Sequence, residues 1–207
     1  MGIIKEVSAV HVKIPLNVHY VFGRGTMTAF ESVIVRIVTD DGIEGYGESI
    51  PLFRSAKSDL TSVARIVNGP VRESLTGKDP FDIERIVEEV LDISGGNVDV
   101  PAGVDPALWD IMGKSLGQPV YKLLGGLCQD PIPVDHTIGG SEPTAMAEEA
   151  RQALEKGFRG VVVKVDAESI EKDVQRVRSV RDVLPAGCTV RVDFVTVLFH
   201  ETLRSSS

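Results

Sequence analysis

No basic run interrupts this chain, and its charge leans the other way: 22 Lys and Arg against 30 Asp and Glu leave a net charge of −8. An acidic chain of that kind argues against nucleic acid or an anionic membrane surface as its main partner. It lacks a run of 18 apolar residues, which excludes a spanning helix. The N-terminal MGIIKEVSAVHVKIPL has neither the basic-then-apolar layout nor the small-residue cleavage site of a signal peptide. Only two cysteines occur, Cys128 and Cys188, at no metal or redox spacing, and they read as ordinary thiols of a cytoplasmic protein. Internal repeats are missing too, and the closing Ser205-Ser206-Ser207 is the one biased tract.

What is present is ordinary globular material, 43% hydrophobic and 25% charged over 207 residues, enough for one or two domains with a sizeable core. The first fifty residues predict a three-stranded antiparallel meander. Ile3 to Ile14 forms its first strand, with Val10, Val12 and Ile14 on one face, and the Gly-rich stretch Val21 to Thr26 follows. The β-branched run from Ser32 to Thr39 leads through Asp41-Gly42, a hairpin turn signal, into Ile43 to Glu48. Helical spacing then takes over at Leu60, Val63, Ala64 and Val67, until Asn68-Gly69-Pro70 breaks it. Asp79-Pro80 opens a second helix with Ile83, Ile86, Val87 and Val90 on its face. A third runs from about Val104 to Leu116, and Gly117 is placed to end it.

Past a boundary near Gly126 the texture alternates. A strand from Ile132 to Ile138, a helix from Ser141 to Lys156 and a strand at Gly160 to Val165 come first. A helix from Ser169 to Leu184, carrying Ile170, Val174, Val177 and Val180, leads into a strand at Thr189 to Asp193. That β-α-β-α-β order implies parallel strands joined by crossover helices. From Leu127 to Ser207 there are 81 residues, fewer than three units at about 30 residues each. A closed eight-stranded barrel of about 250 residues does not fit.

Catalytic groups of parallel α/β folds project from the carboxyl ends of strands. Asp135-His136-Thr137, Lys164 and Asp193 occupy such places. Lys164 follows three valines, an apolar setting able to lower an ammonium pKa and make a general base. Asp193 is a hard oxygen donor suited to Mg²⁺, which can stabilise the oxyanion formed when a carbon beside a carboxylate loses its proton. On pattern alone a solvated end or salt-bridge partner is the commoner role for such a lysine, a loop cap for such an aspartate, and a satisfied strand residue for His136.

Three stretches carry a resemblance. They are Asp40-Asp41-Gly42-Ile43-Glu44-Gly45-Tyr46-Gly47-Glu48; Ala102 to Lys114, read AGVDPALWDIMGK, continuing as Gly117 to Gly126; and Lys156-Gly157-Phe158-Arg159 before the Lys164 strand, with Arg191-Val192-Asp193 after it. Over about Ile3 to Phe194 the chain resembles the mandelate racemase and muconate lactonizing enzyme group of the enolase superfamily. The resemblance implies an α/β protein: an N-terminal α+β capping domain (1–126), the first βαβαβ portion of an incomplete (β/α) TIM-type barrel (127–194) and a non-matching tail (195–207). It implies Mg²⁺-assisted removal of a proton alpha to the carboxylate of a small substrate, followed by racemisation, dehydration or cycloisomerisation. Full-length relatives are expected to be homo-oligomers. Lys164 matches the second lysine of a Lys-x-Lys motif, commonly an acid/base, while Val162 stands at the first. Asp193 matches the first metal ligand, and Val195 stands where Asn is expected. Loops at about Asn17 to Ala29 and Ile50 to Asp59 correspond to those that close over substrate, which makes Tyr20, Phe22 and Phe53 candidate substrate contacts, with Thr137 at the end of the first parallel strand as another. Trp109 and Leu108 are expected in the core. The later ligands and the opposite acid/base are not in this sequence, so the expectation is an inactive fragment of such an enzyme; the alternative is a non-catalytic binding or oligomerisation module.

Overall fold

A computed structural model describes residues 2–22, 25–51, 59–139, 142–165 and 169–194. The chain divides into two compact units, Met1–Pro15 with Ala29–Cys128, and Leu16–Thr28 with Gln129–Ser207.

An antiparallel sheet of order β1-β2-β3 opens the chain, built from Ile4–Phe22, Gly25–Thr39 and Glu44–Ser49. The Asp41-Gly42 turn forms as its sequence predicts, with Gly42 at φ 87°. The Gly-rich stretch does not form a long loop: Val21 and Phe22 still belong to β1, and Gly25 and Thr26 already belong to β2. The face of β1 that carries Val10, Val12 and Ile14 is not the core face. Val10 and Ile14 are exposed, and Val7 and Ala9 are buried with Ile4. Two successive exposed residues, Lys5 and Glu6, shift the alternation by one, and a one-residue shift exchanges the faces of a strand.

Among the described residues β1 is an edge strand, with backbone groups that no neighbouring strand pairs. The helical layer satisfies several of them. Asn68 accepts from the Ala9 amide at 2.9 Å and donates to the Ala9 carbonyl at 2.8 Å. Arg72 Nε donates to the Val7 carbonyl at 2.9 Å, and the amides of Ile4 and Gly77 bond to the carbonyls of Lys78 and Ile4. Asn68-Gly69-Pro70 interrupts the regular helix as its sequence predicts. Helices α1 (Leu60–Ile66) and α2 (Arg72–Leu75) are joined through Val67–Val71 by a kink at Gly69, which is non-helical (φ −109°, ψ −106°), beside a proline that cannot supply the i−4 bond of an ordinary helix. Val67, Val71 and Leu75 nonetheless stay buried with Leu60 and Val63.

Helix α3 (Ile83–Ile93) starts three residues after Pro80, which sits in a turn closed by a 2.9 Å bond from the Phe81 amide to Asp79 Oδ1. Helix α4 (Asp99–Leu116) begins five residues before its predicted start and ends at Gly117 in the left-handed region (φ 62°). The Gln118 amide bonds back to the Gly113 carbonyl at 2.9 Å, the six-to-one closure of a Schellman cap. Leu108 is fully buried, whereas Trp109 is only partly buried against this core. A short α5, Val120–Leu123, follows.

The contact of α4 with β3 explains two of the sequence stretches at once. Residues 103, 107 and 111 lie on one helix face about 6 Å apart, and Gly47 and Gly45 lie on one strand face about 6.6 Å apart, so the two rows stay in step. A Cβ on Gly47 would lie 2.0 Å from the Gly103 carbonyl oxygen, and one on Gly45 2.1 Å from that of Ala107. Around this contact Asp110 Oδ2 accepts from the Tyr46 amide at 3.0 Å, and Lys114 Nζ reaches the Glu44 carbonyl at 2.6 Å.

The second unit holds a parallel sheet of order β4-β5-β6, from His136–Ile138, Gly160–Val165 and Thr189–Phe194. Its crossovers are α6 (Pro143–Glu155) and α7 (Ile170–Val183). Strand β4 is shorter than predicted, since Ile132 and Val134 are exposed outside it. Ile138, Val161, Val163 and Val165 pack with Met146, Ala150, Ala153 and Val180. The predicted face of α7 is only half right: Ile170 is 75% exposed and Val174 is also exposed. The ion pair of Asp173 with Arg176, at 3.0 Å, is buried beside Val180 instead.

Candidate active site

Three residues occupy the penultimate positions of the three parallel strands: Thr137 in β4, Lys164 in β5 and Asp193 in β6. Their register fixes which of them meet. Lys164 pairs directly with Asp193, and Val162 lies between Thr137 on one side and Arg191 on the other. Directly paired residues share a face of the sheet. The helix-covered face takes His136, Ile138, Val161, Val163 and Val165, and the opposite face takes Thr137, Val162, Lys164, Arg191 and Asp193.

Lys164 Nζ and Asp193 Oδ2 form an ion pair, with side chains 31% and 46% exposed. The three valines before Lys164 do not enclose its amine as the apolar run suggests. In a strand Val161 and Val163 point away from it, and Val162 alone shares its face. The neighbour that determines the surroundings of the amine is the carboxylate on the next strand.

Thr137 lies one row back, beside Val162 rather than Lys164. His136 is turned to the helical side, where Nε2 meets Glu149 Oε1 of α6 at 3.0 Å and the ring tilts against Phe158 with centroids 5.3 Å apart. It has the partners of a strand histidine. Tyr20 and Phe22 belong to β1, but their side chains, like the whole of Phe53, lie outside the described residues.

Arg191 was not singled out by the sequence, yet its two-residue spacing from Asp193 places both on one face. Its Nη1 lies 3.2 Å from Asp135 Oδ2, just before β4. Gly160 makes room for that carboxylate, since a Cβ there would stand 2.0 Å from Asp135 Oδ1.

Asp193 offers a hard oxygen donor, but Mg²⁺ demands near-octahedral coordination and loses water reluctantly. Among the described residues no group of three or more His, Cys, Asp or Glu side chains converges to hold a metal. Those residues fall short of a magnesium site.

The chain matches the family described as "Mandelate racemase / muconate lactonizing enzyme, N-terminal domain" over residues 4–125. The chain belongs to this family, within the enolase superfamily. Among its relatives is N-succinyl-L-Arg/Lys racemase of Bacillus cereus, 32% identical over 191 residues, or 91% of this chain and 52% of that protein. Cis-3-hydroxy-L-proline dehydratase of Roseibium aggregatum is 33% identical over 187 residues, 87% of this chain and 50% of the relative. Among solved structures, dipeptide epimerase of Enterococcus faecalis V583, complexed with Mg and the dipeptide L-Leu-L-Tyr, aligns with a TM-score of 0.86 at 32% identity. That match covers 94% of this chain and 54% of the epimerase. The chain thus spans about half the length of the curated relatives it matches. Its architecture is that of the mandelate racemase group, an antiparallel-sheet capping domain followed by parallel βαβ elements.

Among the described residues no helix is long and apolar enough to cross a membrane.

Proposed function

We propose that this chain carries the capping domain, residues 1–126, and the first barrel strands, residues 127–194, of an enzyme that moves a proton at the carbon alpha to a carboxylate. Lys164 is its acid/base and Asp193 its first magnesium ligand. One observation carries this reading: the Lys164 amine and the Asp193 carboxylate meet at the carboxyl ends of adjacent parallel strands, where such folds place their chemistry. Lys164 does its work by leaving Asp193 and presenting its amine to the substrate carbon. Asp193 holds the amine in place until then.

The substrate class that the relatives favour is an N-acylated amino acid or dipeptide, and the reaction a racemisation or epimerisation. Relatives named as racemase or epimerase of such compounds align over about nine-tenths of this chain. Thr137, one row behind Lys164, is a substrate contact, and the resemblance makes Tyr20, Phe22 and Phe53 further candidates. The two free thiols, Cys128 and Cys188, suit a cytoplasmic setting. Among the described residues no three metal-ligating side chains converge around Asp193, so the 207-residue chain alone should bind Mg²⁺ weakly and not turn over.

The test is proton exchange in heavy water with Mg²⁺. It would use this chain alone and this chain continued at Phe194 into the later barrel strands of the Bacillus cereus racemase. Deuterium should enter the α-position of N-succinyl-L-lysine only with the continued protein. Exchange with galactonate in place of the acylated amino acid would overturn the substrate class.

A further inference from the structure

Four charged side chains share the open face of the β4-β5-β6 sheet, two acids and two cations. Arg191 and Asp193 are two residues apart on one strand, about 6.6 Å along it. An arginine with five donors on a long stem can serve either neighbouring carboxylate. In the structure it serves Asp135, at 3.2 Å, and leaves Asp193 to Lys164.

The two carboxylates differ in how much they need a cation. The Asp135 side chain is 15% exposed and the Asp193 side chain 46%. Asp135 Oδ2 is buried and accepts no hydrogen bond from the described residues, so the adjacent guanidinium is what offsets its charge. Leaving a buried carboxylate uncompensated is far more costly than leaving an exposed one. Gly160 fixes the arrangement from below, because any side chain there would displace the Asp135 carboxylate.

We propose that Asp135 is a positioning residue: by holding Arg191 across β5, it keeps the arginine off Asp193 and preserves the Lys164–Asp193 pair. This rests on the role proposed for that pair. Its test does not require turnover, so its failure is distinct from a failure of proton exchange.

The experiment measures the rate at which acetic anhydride acylates Lys164 at one pH, read by peptide mass spectrometry. Wild type, Asp135→Asn, Arg191→Met and the double variant are compared. In Asp135→Asn the freed arginine takes Asp193, and Lys164 should react about threefold to fivefold faster, the scale of an exposed ion pair. In the double variant the rate should return to within about twofold of wild type, because no arginine remains to compete. Arg191→Met alone should leave the rate within the same twofold. An unchanged rate in Asp135→Asn overturns the proposal. So does a double variant as fast as Asp135→Asn, which would mean simple loosening of the sheet. Should Asp135→Asn not fold, Arg191→Met still decides. A rate several-fold slower than wild type would show that Arg191 already draws on Asp193, and an unchanged rate supports the proposal.

Discussion

Substituting Gly47 by alanine tests the packing on which the capping domain is built. The added Cβ would stand 2.0 Å from the Gly103 carbonyl oxygen and 3.0 Å from the Ala107 nitrogen. Both belong to the backbone of α4, so no rotamer change relieves the clash. An ordinary carbon–oxygen contact needs about 3.3 Å, so α4 must retreat by about 1.3 Å. A radial gap of 0.5–1 Å already forfeits about a quarter to a half of a packing well. Val104, Leu108 and Ile111 of α4 are fully buried. Burial of each is worth about 1.5–3 kcal/mol, and losing roughly half from three side chains comes to about 3 kcal/mol. Gly42→Ala is the control. Nothing lies within 4 Å of its added Cβ, but its φ is +87°, which costs about 1 kcal/mol. Gly103→Ala should fall between, because its Cβ meets a side-chain atom, Val35 Cγ2, at 2.7 Å. Urea unfolding followed by circular dichroism and Trp109 fluorescence would rank the three. A Gly47→Ala protein no less stable than Gly42→Ala would refute the argument that these glycines exist for close helix approach.

Other outcomes follow from single interactions. Asn68→Ala removes both bonds to the Ala9 backbone and should cost about 2 kcal/mol; a loss below about 0.5 kcal/mol would show that water replaces them. Glu44 is held at about 2, below its ordinary 4.5, by Arg36 and then the Tyr46 hydroxyl. Because its folded value is depressed, its contribution is present above 4.5 and lost as pH falls towards 2. The stability difference between wild type and Glu44→Gln should shrink across that window; a constant difference would contradict it. Burial raises the Asp105 carboxyl, so its charged form opposes folding, and Asp105→Asn should raise the melting temperature at pH 7 with less effect at pH 3. Phe194 is 67% exposed on β6, an edge strand among the described residues, and Phe194→Lys should reduce self-association of the 207-residue chain in sedimentation velocity.

Much of the fold was legible because local signals agreed with tertiary demands. Asp41-Gly42 turns, Gly117 caps, and Val161, Val163 and Val165 of β5 are buried. The misread elements are those where distant partners decide. β1 shows apolar residues on both faces, and only the helices show that Val7 and Ala9 are the inner ones. Asn68-Gly69-Pro70 does interrupt the helix, by a kink at Gly69, but nothing local shows that Asn68 there holds an edge 59 residues away. On α7 the valines suggested the buried face, whereas a paired Asp173 and Arg176 occupy part of it. The Lys164 and Asp193 positions were readable from strand ends. Their direct pairing depends on register, which neither strand specifies alone. The partnership of Arg191 with Asp135 spans three strands, and Gly160 gives it only a faint sequence signal.

The most direct measurement is deuterium incorporation at the α-carbon of N-succinyl-L-lysine by the chain continued into the later barrel strands. Lys164→Ala would be compared with the unsubstituted protein after circular dichroism shows both folded. Loss of an acid/base of this kind lowers exchange by about 10²–10⁴-fold, and that is the expected result. Exchange that continues undiminished without the Lys164 amine would contradict its role, and with it the placement of the active site at the ends of β5 and β6.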